Sequence, residues 1–124
     1  MIIGIHHVQI TVPVSAVAEA RAFYCGTLGI SEIEKPAALQ ERGGFWLQVG
    51  ERQVHVGIEE GVKRQATKAH VAYAVRSLAE WRARLAAAGV EILDGIPIPG
   101  CERFEFRDPF GNRIELIEAQ VDHR

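Results

Sequence analysis

Two segments of the chain alternate apolar and polar side chains with a period of two. In residues 3–12 the apolar face holds Val8, Ile10 and Val12, and residues 69–75 repeat the pattern with valine and tyrosine. A two-residue period is typical of a half-buried β-strand. Residues 15–27 and 77–88 then place apolar residues at helical spacing, and a glycine follows each segment. Each half is therefore predicted to begin with a strand and a helix.

Further strands are predicted after each helix. Residues 45–49 and 53–58 flank a Gly-Glu-Arg turn, and residues 103–107 and 113–118 flank Asp-Pro-Phe-Gly-Asn, so both pairs are interpreted as hairpins. Weaker strands are expected near residues 31–34 and 90–93. The element order is βαβββ, and it occurs twice.

The two halves are related by an internal repeat. His7-Val8 followed by Val12 recurs as His70-Val71 followed by Val75, 63 positions later. Each half of the chain is too small to bury a good core alone. We therefore expect an α+β fold in which modules 1–60 and 68–124, joined by a short polar linker, form one domain spanning residues 1–124.

Composition and charge exclude several classes of protein. The chain has 124 residues, 48% of them hydrophobic, and a formal net charge of -2, so the basic character of a nucleic-acid-binding protein is missing. No apolar run approaches the length of a membrane span, and no signal peptide is recognised. Cys25 and Cys101 are interpreted as free thiols in a reducing compartment. These features predict a cytoplasmic protein without nucleic-acid or membrane partners.

Four polar residues with metal-ligand chemistry lie on the strand faces opposite the apolar residues: His7, His55, His70 and Glu115. The repeat relates His7 to His70, and it relates His55 to Glu115 at an offset of 60. Imidazole and carboxylate groups suit one divalent zinc, nickel, cobalt, manganese or ferrous ion, and such ligand sets serve catalytic sites. The alternative is that each histidine is an ordinary polar residue of its strand.

Three segments resemble a known superfamily: IHHVQITVP at residues 5–13, AFY at 22–24 with the Leu-Gly at 28–29, and DPFGNRIEL at 108–116. They are similar to the vicinal oxygen chelate superfamily, which includes glyoxalase I, fosfomycin-resistance proteins, extradiol dioxygenases and bleomycin-resistance proteins. The resemblance implies paired βαβββ modules in a cup-shaped mixed sheet, a homodimer, and a divalent metal chelated by vicinal oxygens of a small-molecule substrate. The family's metal positions fall on His7, His70 and Glu115, with His55 at a more variable fourth position.

The resemblance leaves the reaction open, because function depends on the site rather than on the fold. We expect a metal-dependent lyase, isomerase or dioxygenase in which Glu115 also serves as the catalytic base. The alternative is a metal-independent protein that binds a drug or small ligand, as bleomycin-resistance proteins do. The irregular residues 35–45 and 94–103 are candidate substrate loops, and Arg42, Trp46 and Arg103 are candidate substrate-binding residues.

Overall fold

The computed structural model describes residues 1–119. It divides into two compact units, Met1–Val62 and Lys63–Arg124. The predicted second module, residues 68–124, therefore extends five residues beyond the described part of the chain. That the two modules form one domain stays a prediction.

The first unit is a four-stranded mixed sheet with helical segments in two of its connections. Its strands are β1 (His7–Val12), β2 (Ser31–Ile33), β3 (Phe45–Val49) and β4 (Arg52–Ile58). Their order in the sheet is β1-β4-β3-β2; β1 and β4 are parallel, and the other neighbours are antiparallel. A short 3-10 helix, Ala37–Arg42, lies in the connection between β2 and β3.

The predicted first helix is present, but its hydrogen bonding changes along its length. A 3-10 turn (Val14–Ala16) precedes α1 (Val17–Arg21), and a π-helical stretch (Ala22–Thr27) follows. There the Leu28 amide donates to the Phe23 carbonyl at 2.9 Å, five residues back. The wider turn ends at Gly29, whose φ of 69° favours glycine. Ala20, Phe23 and Tyr24 are buried, as their spacing predicts.

The second unit has a three-stranded mixed sheet. It contains a 3-10 turn (Arg64–Ala66), β5 (His70–Val75), α2 (Leu78–Ala87), β6 (Arg103–Arg107) and β7 (Arg113–Glu118), with strand order β5-β7-β6. α2 begins as predicted, because the Ser77 hydroxyl accepts a hydrogen bond from the Glu80 amide at 3.3 Å. Leu78 and Leu85 on its inner face are buried.

The strand predicted at residues 90–93 is reduced to one bridge. Leu93 exchanges two backbone hydrogen bonds with Glu105 of β6, at 2.7 and 3.0 Å, and no longer pairing follows among the described residues. Residues 94–100 contain two prolines and two glycines, and proline has no N–H to donate to a neighbouring strand. The prediction of an α+β fold with two related modules is confirmed, with this strand shortened in the second module.

Candidate functional site

Three rings form a continuous stack on one face of the first sheet. Trp46 of β3 lies directly opposite His55 of β4, and the two ring planes are 1° apart with centroids separated by 3.8 Å. His7 of β1 stacks on the other side of His55 at 4.1 Å and 19°. Alternation predicts this shared face, because all three side chains point away from the apolar positions of their strands. His7 and His55, both predicted metal ligands, are therefore in contact.

The environment of His55 favours its neutral form. The residue is only 6% exposed, and burial, followed by the nearby His7 and His6, lowers its pKa. Its Nε2 lies 2.9 Å from Oε1 of Gln53, within hydrogen-bond distance, so the glutamine side chain engages one of the two ring nitrogens. A neutral imidazole with a free lone pair is the form that binds metal ions.

A cavity of about 440 Å³ opens beside this stack. It is lined by strands of the first sheet and by the connection between β2 and β3, and its lining residues are His7, Gln9, Lys35, Leu39, Arg42, Gly43, Trp46, His55, Val56, Gly57 and Ile58. Two of the three predicted substrate-binding residues, Arg42 and Trp46, thus line the same cavity as two of the four predicted metal ligands. The candidate substrate loop at residues 35–45 forms one wall.

The loop approaches β4 closely because two glycines adopt positive φ. Gly43 and Gly44 have φ of 76° and 78°. A Cβ on Gly44 would lie 2.1 Å from the carbonyl oxygen of Val56, which is far inside van der Waals contact. The Lys35 ammonium also donates to the Gly43 carbonyl at 2.7 Å. These contacts place the cavity wall against the strand that bears His55.

The second unit brings the other two predicted ligands together. Nε2 of His70 lies 3.2 Å from Oε1 of Glu115, and Nδ1 of His70 lies 2.9 Å from the Lys68 carbonyl oxygen. The carbonyl can only accept, so Nδ1 donates to it, and Nε2 is the ring nitrogen that faces the carboxylate. Two ligand atoms about 2.1 Å from one metal ion and at right angles are about 3 Å apart. This donor pair therefore fits a divalent ion.

Glu115 also belongs to an ion-pair network that runs along the same face of the second sheet. Arg103 donates from Nε to Oε2 of Glu115 at 3.1 Å and from Nη2 to Oε1 of Glu105 at 3.0 Å. Glu105 lies directly opposite Glu115 in the β6–β7 ladder, and Arg113 pairs with it. The hydrogen bond from Arg113 is the main reason that the pKa of Glu105 is lowered. The two facing carboxylates are thus each neutralised by a guanidinium group.

Sequence reasoning missed Glu105 and Arg113. Both alternate with apolar residues in their strands, so the pattern indicates their face, but their pairing follows from the register of two strands. Arg103, predicted to bind substrate, has its guanidinium engaged by Glu115 and Glu105, and its side chain is 16% exposed. The four predicted metal ligands occur as two pairs, one in each unit. Within residues 1–119 no group of three or more histidine, cysteine, aspartate or glutamate side chains is arranged to hold a metal ion.

Comparison with known proteins establishes the family. The sequence model of the Glyoxalase/Bleomycin resistance protein/Dioxygenase superfamily matches residues 4–116. The chain belongs to this superfamily. It is 42% identical to a protein of Bacillus anthracis described as a glyoxalase family member. The match covers 97% of this chain and 98% of the Bacillus anthracis chain, and the two structures superpose with a TM-score of 0.89.

More distant superfamily structures share the fold. The fosfomycin resistance protein FosX of Listeria monocytogenes is 19% identical over 98% of this chain and 97% of its own, with a TM-score of 0.78. One structure of FosX is a complex with Mn(II) and sulfate. Lactoylglutathione lyase of Agrobacterium tumefaciens is 18% identical over 94% of this chain and 93% of its own, with a TM-score of 0.72. No curated protein matches the chain. Among the described helices, none has the length and apolar character needed to cross a membrane.

Proposed function

We propose that this member of the superfamily is a metal-dependent enzyme that acts on a small molecule bearing vicinal oxygens. The observation that carries the proposal is the pair formed by His70 and Glu115. The Nδ1 contact with Lys68 turns Nε2 of His70 towards a carboxylate oxygen, at a separation that two neighbouring ligands of one ion can have. A divalent cation bound by both atoms would interact favourably with the charge of the carboxylate.

We propose His7 and His55 as further ligands of this ion, and we expect one ion per chain. His55 is held neutral by burial, which removes the proton that would compete with a metal ion. FosX, which shares the fold, has a structure with Mn(II), and this supports a divalent ion without identifying it. Imidazole and carboxylate groups also suit zinc, nickel, cobalt and ferrous iron.

In the proposed reaction the protein positions one carboxylate as ligand and base. A bound divalent ion would act as a Lewis acid that polarises the substrate oxygens. Arg103 donates from Nε to Oε2 of Glu115 at 3.1 Å, and this hydrogen bond orients the carboxylate. Glu115 then accepts the proton released from the substrate carbon. Arg42 and Trp46, which line the cavity beside His7 and His55, contact the substrate. This base chemistry is that of a lyase or isomerase; a dioxygenase would use the same ligands with ferrous iron.

One observation favours a second candidate, a metal-independent protein that binds a small ligand. Arg103 approaches both oxygens of Glu115, at 3.1 and 3.4 Å, so the carboxylate is already charge-compensated without a metal ion. The cavity of about 440 Å³ is large enough for a small molecule in either case. The two candidates differ in metal content.

Elemental analysis of protein purified without added metal separates them. The enzyme should carry about one divalent ion per chain, and His70→Ala should remove most of it, because one of three or four ligands is lost. Glu91→Gln serves as a control, since Glu91 is exposed and lies outside both ligand pairs. Absence of metal from the wild-type protein, even after dialysis against the candidate ions, would favour the binding protein. Unchanged metal content in His70→Ala would contradict the proposed ligand set.

The role of Glu115 as base has its own test. Glu115→Gln keeps the size of the side chain and removes its charge and basicity, so turnover of a substrate found by screening should be abolished. Thermal unfolding of the metal-free variant shows whether the fold is retained. A Glu115→Gln protein as active as the Glu91→Gln control would exclude this role.

A further inference from the structure

The charged side chains that line the cavity of the first unit are cationic. Lys35 and Arg42 are among its lining residues, and within the described chain no aspartate or glutamate joins them. Clefts lined by charge of one sign concentrate ligands of the opposite sign, because the low-dielectric walls focus the field. The cavity is therefore suited to an anion rather than to a neutral or cationic molecule.

Arg42 differs from several other arginines in having an unused guanidinium. Among the described residues, the arginines that form ion pairs with carboxylates include Arg21, Arg82, Arg103 and Arg113. Within residues 1–119, the Arg42 side chain has no hydrogen bond or ion pair. A guanidinium offers five N–H donors in a planar fork that matches a carboxylate or a phosphonate. Arg42 thus lines the cavity with a donor set that no other described residue engages.

Lys35 is the second cation, and a hydrogen bond links it to the loop. Its ammonium donates to the Gly43 carbonyl at 2.7 Å, which uses one of three donors and holds the side chain against the loop. The remaining N–H groups are available to a ligand. An ammonium and a planar guanidinium that line one cavity provide charge from one group and orientation from the other.

The rest of the cavity divides into an apolar part and an imidazole part. Leu39 and Ile58 supply aliphatic surface, and His7 and His55 supply the proposed metal ligands. A matching ligand has an acid group, a short apolar body and oxygen atoms at the imidazole side. The volume of about 440 Å³ restricts it to a small molecule.

We propose that the substrate is a small organic anion whose carboxylate or phosphonate is bound by Arg42 and Lys35 in this cavity. The assignment of this anion as the substrate rests on the proposed function. The binding of the acid group depends only on the first unit's cavity. It can therefore be measured without the metal ion and without a known reaction.

The fluorescence of Trp46 provides the measurement, because its ring lines the cavity. The chain has two tryptophans, so Trp81→Phe leaves Trp46 as the only indole. Metal-free protein in low-chloride buffer is titrated with butanoate, propylphosphonate and the neutral, nearly isosteric butanamide. We expect saturable changes with one or both anions and none with the amide. A preference between the two anions identifies the acid group.

Arg42→Gln in the same background tests the assignment of the anion site. Charged hydrogen bonds of this kind contribute enough to weaken anion binding about tenfold or more when one is removed. Arg76→Gln is the matched control, because Arg76 is an exposed arginine of the second unit that does not line the cavity. Equal anion affinity in Arg42→Gln and Arg76→Gln would overturn the proposal, as would equal binding of butanamide and butanoate.

The outcomes separate this inference from the proposed function. Anion binding that depends on Arg42, in a wild-type protein that holds no metal, would retain the anion site and refute the metal enzyme. One metal ion per chain without binding of either anion, in metal-free and metal-loaded protein alike, would retain the metal site and refute the anion site.

Discussion

Tyr73 is a residue whose ionisation is strongly changed by the fold. Its side chain on β5 is 8% exposed. Burial, together with the carboxylate of Asp108, raises its pKa to about 12. Both effects act against the phenolate, because the charged form loses hydration and faces a like charge. The folded protein therefore holds this proton more tightly than the unfolded chain does.

This shift predicts a loss of stability at alkaline pH. The folded-state pKa is raised above the unfolded value of about 10, so the contribution of Tyr73 is complete below pH 10 and is lost as the pH rises towards 12. The slope cannot exceed about 1.4 kcal/mol per pH unit for one group. Thermal unfolding of the wild-type protein and of Tyr73→Phe between pH 9 and 12 measures how much of the pH dependence of stability comes from Tyr73. Parallel curves for the two proteins would show that Tyr73 does not titrate in this way.

Residue positions on strands are the most predictable part of the candidate site. The two-residue period places His7 and His55 on one face, and the structure stacks their rings at 4.1 Å. The role of Arg103 is not predictable in this way, because its contact with Glu115 depends on the β6–β7 register and on the course of the preceding loop. The sheet face on which a side chain lies follows from the local sequence pattern, whereas its contacts with side chains of other strands depend on the fold.

Among the elements, the connection between β2 and β3 matters most for the cavity. The sequence predicts only an irregular, glycine-rich loop at residues 35–45. In the structure it contains the 3-10 helix Ala37–Arg42 and ends in Gly43 and Gly44, whose positive φ brings the backbone against β4. The closeness of that approach has no sequence signal beyond the paired glycines.

Gly44→Ala is predicted to detach this element from β4. The added methyl would lie 2.1 Å from the Val56 carbonyl oxygen and would also disfavour the φ of 78°. Gly50→Ala is the control, because Gly50 has a φ of 56° and a Cβ there would meet no described atom within 4 Å. Both changes carry a backbone penalty of about 1–3 kcal/mol. Gly44→Ala should lose about 1–3 kcal/mol more unfolding free energy than Gly50→Ala because of overpacking, and denaturant unfolding measures this difference. Equal losses of unfolding free energy in the two variants would mean that the loop moves away from Val56 without an energetic penalty.

The helices and hairpins illustrate what local sequence determines. The Ser77 cap and the two hairpins agree with their predicted positions within one residue, because capping and turn chemistry depend on neighbouring residues. The π-helical stretch of Ala22–Thr27 and the loss of the strand at residues 90–93 have no such local signal. The first depends on how Phe23 and Tyr24 pack, and the second on prolines that follow the strand rather than interrupt it.

At the scale of the whole molecule, several apolar side chains among the described residues are exposed, and each sheet has edge strands. Ile2 and Ile3 are each 95% exposed, Ile5 is 67% exposed and Ile96 is 84% exposed. β1 and β2 are the edge strands of the first sheet, and β5 is an edge strand of the second. Natural proteins cover such edges and apolar patches, and association with a second copy is one means of doing so.

We therefore predict that the protein is a homodimer in solution. Light scattering should give twice the chain mass of 13.7 kDa. Because apolar surface is the expected contact, moderate salt should leave the dimer intact, whereas an interface of exposed ion pairs would weaken as charges are screened. The measurement is made on metal-free and metal-loaded protein, so that assembly and metal binding are assessed independently. A monomeric mass at high protein concentration in both states would exclude the dimer, and the exposed isoleucines would then need another partner.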